Sequence, residues 1–161
     1  MAAQAFTLVA PDGTVRMDGA MCDGLLDGGL RIALHGEPHA LMHFAGGVQQ
    51  GECVMLHGPQ RPSARLHYVD GKLDGKAEFY APEGTLTRRT HYRAGLVHGL
   101  QQDFYPDGRL FEYGHFVRGK PDGTWQRLHP NGAVAERRCY AAGVLVGPPE
   151  RFDPLGRSLG G

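Results

Sequence analysis

Four histidines, His43, His67, His91 and His115, recur every 24 residues, and Cys139 takes the fifth place in the series. Imidazole and thiol groups ligate metals and carry protons, so such a ladder raises metal binding and acid–base chemistry together. Two residues before each stand Leu41, Arg65, Arg89, Tyr113 and Arg137; two before those stand His39, Ser63, Thr87, Phe111 and Ala135. Side chains two apart on a strand share a face. The three columns therefore read as one surface of imidazole, guanidinium and aromatic groups. If equivalent positions lie two strands apart, successive rungs are about 9.6 Å apart. Zinc holds nitrogen at about 2.0–2.1 Å, so one ion cannot bridge two rungs, and no metal is expected. The surface is then a solvated polar face that tolerates histidine, or a face that binds a partner. Arginine and aromatic side chains carry most interface energy. On that ground Arg65, His67, Arg89, His91, Phe111, Tyr113, His115 and Trp125 are the candidate partner-binding residues. Trp125 has Ala77, Gln101 and Pro149 as its unit equivalents. No apolar stripe requires an indole there, which leaves packing or an exposed anchor as its two roles.

Other chemistries find no support in the sequence. GLVHG and GKLDG lack the spacing of a phosphate loop and its following Lys-Ser/Thr, and no Rossmann glycine pattern opens a helix. Asp74, Asp107 and Asp122 stand beside turn glycines, where aspartate bonds its own backbone. His98 and His129 read as exposed turn residues. Serine is scarce, and Cys139 has no base beside it. The expectation is a protein that is not an enzyme and needs no cofactor.

The elements that position the ladder come from a repeat. G-x-x-x-G recurs at Gly71/Gly75, Gly95/Gly99, Gly119/Gly123 and Gly143/Gly147, reaches back to Gly47/Gly51 and, one residue short, to Gly24/Gly28. An aromatic residue precedes the first glycine by three places at Phe44, Tyr68, Tyr92, Phe116 and Tyr140. A second turn follows as PEG (82–84), PDG (106–108), PNG (130–132) and PLG (154–156), and PDG (11–13) opens the chain halfway through a unit. Periods of 20–50 residues mark stacked supersecondary units. Two turn signals in 24 residues, with period-two alternation between them, specify a β-hairpin per unit. The expected fold is all-β: a single-layer, curved antiparallel meander of about six hairpin repeats. It forms one domain over residues 1–161, with a half repeat at 1–20 and repeats starting near 21, 44, 68, 92, 116 and 140. Parity predicts a structural stripe of the aromatic anchors together with Leu86, Leu110 and Val134, joined by Leu56, Tyr80, Phe104, Leu128 and Phe152.

Composition narrows the partners. The 161 residues carry 17 basic and 17 acidic side chains, a formal net charge of zero. Neutralising a nucleic-acid backbone takes a basic surplus, so none is expected as partner. The start of the chain lacks a basic n-region and a sustained apolar run, so no signal peptide is expected, and no run approaches a membrane span. Three cysteines without a C-x-x-C read as free thiols in a reducing compartment.

The unit Y-x-x-G-x-x-x-G-x-x-x-x-[FYL]-x-P-x-G-x-L resembles the MORN repeat. More narrowly, it is similar to the bacterial MORN-variant repeat of YwqK-family antitoxin-like proteins, over residues 6–157. The second turn is degenerate in the first two units, at LHGEPHALMHF (34–44) and LHGPQRPSARLHY (56–68). The resemblance implies a binding or scaffolding role without catalytic residues. Together with the missing export signal, it leads to the expectation of a cytoplasmic antitoxin or immunity protein that neutralises a cognate toxin by occluding it. A scaffold or membrane-surface module and an effector-loading adaptor are the alternatives. Lipid attachment needs a polybasic cluster, an amphipathic helix or an acyl chain, and none is visible. The apolar edge segment FTLVA (6–10) is a template for pairing with a second copy.

Overall fold

The computed structural model describes residues 3–160, and among them all regular structure is β. The fold is an open antiparallel hairpin meander, as the repeat requires. Several arms are split by a short break, as in Lys72–Leu73 followed by Gly75–Tyr80. The chain divides into two compact units, Met1–Gly84 and Thr85–Gly161.

The first turn of each repeat is a two-residue hairpin loop. Val69 pairs with Lys72 around Asp70-Gly71, and Val117 with Lys120 around Arg118-Gly119. Both central residues have positive φ: 50° and 73° at Asp70 and Gly71, 51° and 79° at Arg118 and Gly119. This is the type I′ turn that suits strand twist, and the second position calls for glycine. Turns also stack between neighbouring repeats. The amide of Gly71 donates to Gln49 O (3.0 Å), that of Gly119 to Val97 O (2.8 Å) and that of Gly143 to Pro121 O (2.8 Å). The Pro-x-Gly turns close differently, with Gly108 donating to Tyr105 O and Gly132 to His129 O, each at 2.8 Å. In the early units, where that motif is degenerate, hairpins still form. Leu34 pairs with Glu37 around His35-Gly36, both at positive φ.

A bulge recurs beside the second turn and changes the expected faces. Ala40 pairs with Ile32 and Pro38 with Ala33, so His39 is left over. Ser63, Phe111 and Ala135 are skipped in the same way. One extra residue reverses the alternation beyond it. Parity therefore fails between the aromatic anchors and the second-turn column, a correction seen at Leu110 and Val134: each is separated from the aromatic anchor of its strand, Phe116 or Tyr140, by a bulge. The stripe predicted as one face is two segments.

Within Met1–Gly84, the packed face is apolar, with Met55 its more exposed member. Met17, Ile32, Ala40, Met55, Ala64 and Phe79 pair in one row across the strands. Leu30, Ala40, Cys53, Ala64 and Ala77 are buried. Burial raises the Cys53 thiol above its usual titration range. Within Thr85–Gly161 the same repeat positions form a charged row, Arg88, Asp103, Glu112, Arg127, Glu136 and Arg151. Arg88 pairs with Asp103 at 2.5 Å, and buried Glu136 meets Arg127 at 2.9 Å, Arg138 at 3.2 Å and Arg151 at 3.4 Å. Arg138 also grips Glu112. A buried carboxylate persists only when paired, and Glu136 is held by three guanidinium groups.

Candidate partner-binding face

The polar face alternates with the packed one, and each unit carries a part of it. In Met1–Gly84 the candidates Arg65 and His67 lie on Arg61–Val69, two places apart. Arg65 pairs across the strands with Val54 and Glu78, and His67 with Glu52. Together Glu52, Arg65, Leu66, His67, Lys76 and Glu78 line a depression of about 390 Å³. Arg65 bonds Glu52 at 3.0 Å and Lys76 bonds Glu78 at 3.2 Å. Glu78 is buried and also accepts from the Tyr80 hydroxyl at 3.1 Å. His67 donates from Nδ1 to Asp74 O at 2.9 Å. A carbonyl can only accept, so in the neutral ring Nε2 is an acceptor. The depression thus offers two cations, two carboxylates and one imidazole lone pair. That mixture suits a polar partner surface rather than an ion of one sign.

In Thr85–Gly161 the register assembles a row that one strand alone does not reveal. Arg89 pairs with Gln102, Gln102 with Tyr113, Tyr113 with Gln126 and Gln126 with Arg137. The Tyr113 hydroxyl donates to Gln126 Oε1 at 2.6 Å, and Arg137 bonds Glu150 at 2.9 Å with its guanidinium 5.6 Å from the Phe152 ring centroid. The next row places Leu100 opposite exposed His115. His91 donates from Nδ1 to Leu100 O at 3.2 Å. Arg89, His91, Tyr113 and His115 are thus brought onto one face. Gln102 and Gln126 join them from the facing strands, where the sequence reading singles out the apolar residues and Trp125. Their recurrence 24 residues apart was the available signal.

Two candidates fall elsewhere. Phe111 is the skipped residue of a bulge, so counting by twos from Tyr113 does not reach it; its ring meets Tyr105 edge-on at 4.9 Å. Trp125 is buried, 6% exposed, and pairs with Arg138 on the packed face. It lies edge-on to Phe116 and Tyr140 at 5.1 and 6.3 Å, and its indole N–H donates to His115 O at 3.2 Å. The absence of a side chain at Gly114 makes room for it, since a Cβ there would overlap the indole. Of its two roles, packing is the one the structure shows. His129 and His98 are not idle turn residues either. His129 donates to Phe152 O at 2.9 Å, and His98 accepts from the Arg118 amide at 3.4 Å.

Comparison with known proteins identifies residues 73–94 as matching the family described as MORN repeat variant. This stretch spans the turn at 82–84 and the strand Leu86–Arg93, which bears Arg89 and His91. No curated protein matches. Among solved structures, an S. aureus TarM mutant in complex with fondaparinux, α-GlcNAc-glycerol and UDP is similar at 9% identity and a TM-score of 0.31, over 73% of this chain and 21% of that one. A second TarM structure is similar at 14% identity and a TM-score of 0.31, over 74% of this chain and 19% of that one. The chain therefore spans about a fifth of the length of the solved chains it matches.

Proposed function

We propose that the chain is a non-catalytic protein-binding module acting as a cytoplasmic antitoxin or immunity protein, which neutralises a cognate toxin by covering it. The observation that carries this reading is the row of Arg89, Gln102, Tyr113, Gln126 and Arg137, five polar and aromatic side chains in register across five strands. Arginine and tyrosine are the residue types that anchor protein interfaces. The strands beneath hold them in fixed order, which lowers the ordering cost of binding. The match to a MORN repeat variant at 73–94 supports a repeat module of the binding kind.

The test is functional. A stoichiometric partner recovered with the chain is expressed alone and then together with it. Growth arrest by the partner alone, relieved by co-expression, is the expected result. A partner without effect on growth overturns the antitoxin reading and favours a loading or scaffolding role.

A further inference from the structure

The repeats serve as their own controls, because each position is seen several times. At the first turn, one position reaches the next turn in several units. Gln50 Oε1 accepts from the Asp70 amide at 3.2 Å, and Asp122 Oδ1 accepts from the Ala142 amide at 2.9 Å. At one rung this position is His98, whose Nδ1 accepts from the Arg118 amide. The equivalents of His98 are Asp27, Gln50, Asp74, Asp122 and Val146. Those of Arg93 are Cys22, Ala45, Val69, Val117 and Ala141, and those of Arg118 are Asp23, Gly46, Asp70, Ala94 and Ala142. No equivalent is basic, yet at this rung all three positions are.

The three departures converge in space. Arg93, Ala94, Leu96, His98 and Arg118 line a depression of about 370 Å³, and no carboxylate lines it among the described residues. Arg93 and Arg118 are exposed, and neither has an ion pair among the described residues. Elsewhere in the chain arginines such as Arg65, Arg109 and Arg137 meet a carboxylate within 3.0 Å. With Nδ1 accepting from the Arg118 amide, the neutral His98 ring carries its proton on Nε2 and keeps one donor. Two guanidinium forks and one imidazole N–H match a doubly charged oxyanion, because guanidinium binds phosphate oxygens in pairs. We propose that this depression binds the phosphate group of a phosphorylated ligand.

The test is an amide-resolved NMR titration of the intact chain with inorganic phosphate at constant ionic strength and pH. Saturable shifts confined to residues 93–98 and to Arg118 are expected. Arg118→Ala and Arg93→Val place at each position a residue that other repeats already carry there, so the turn is retained. Each should weaken the phosphate response about tenfold, the loss of one charge-assisted bidentate contact. Absent or non-saturating shifts overturn the proposal, as does a response unchanged in the double variant. A second arm compares a short phosphoserine peptide with inorganic phosphate. Tighter binding of the peptide identifies a phosphorylated protein as source, and equal binding a free phosphorylated molecule. The experiment uses no toxin or other protein partner, so its outcome is independent of the antitoxin reading.

Discussion

Thr90 is 1% exposed, and its hydroxyl has no hydrogen-bond partner among the described residues. Of its repeat equivalents, Met42 and Leu66 are apolar, while Gly114 has no side chain and Arg138 is charged. A buried hydroxyl without a partner costs about 1–3 kcal/mol, so Thr90→Val should raise stability by about 1 kcal/mol in denaturant titration; a fall would show that the hydroxyl is satisfied in solution. Asp18 gives a pH signature. The Arg16 guanidinium first, and then the Thr7 hydroxyl, bond its carboxylate and hold it at about 2. That is below the usual value of about 3.9. Its stabilising contribution is therefore whole above about pH 4 and is lost as pH falls toward 2. Carboxyl NMR titration should find Asp18 ionised at pH 3, and Asp18→Asn should flatten the acid limb of stability between those values. An ordinary midpoint for Asp18 would contradict the Arg16 contact. Much at this scale was legible beforehand: the glycine pairs named every first turn. Trp125 was not, because its face depends on a register that no single strand displays.

The hairpin pattern was legible at the level of elements because glycine spacing and Pro-x-Gly turns are local chemistry. The bulge was not, although Pro38 and Pro62 stand beside His39 and Ser63. Proline cannot donate to a ladder and marks edges or bulges, so the hint was present. Without it, two-residue counting carried Phe111 to the wrong row. The charged row of Thr85–Gly161 is the larger omission. Arg88, Glu112 and Glu136 recur at 24 residues, as do Asp103, Arg127 and Arg151, but their meeting requires the cross-strand register. Glu136 is central to it. Removing one partner of a buried pair typically costs about 3–5 kcal/mol, and solvent reaches these arginines, so Glu136→Gln should cost about 1–3 kcal/mol. Ala64→Ser, at the equivalent position of the apolar row, tests the contrast between rows. Its hydroxyl would be buried in an apolar setting and should cost a similar amount, about 1–3 kcal/mol. Urea denaturation of both variants, at low salt so that ion pairs are not screened, checks these values, and an unaltered midpoint for Glu136→Gln would mean that Glu136 adds nothing to stability.

In each of the two units the repeat gives two faces of different character. One packs, with apolar groups in Met1–Gly84 and ion pairs in Thr85–Gly161. The other displays polar and aromatic side chains in register. Arrays of this type draw stability from neighbouring repeats, so a side chain on the displayed face can change without loss of fold. The edge strand Gln4–Val9 leaves Leu8 and Val9 exposed. That keeps pairing with a second copy open to a direct check by light scattering. Binding of a protein by the polar face is tested most directly by affinity capture from the native lysate with the intact chain and with an Arg89→Ala/Tyr113→Ala double variant. The expected result is one stoichiometric protein partner, with affinity reduced about a hundredfold in the folded variant, the loss of two interface anchors. Capture of the same partner with equal affinity by the folded variant would contradict it.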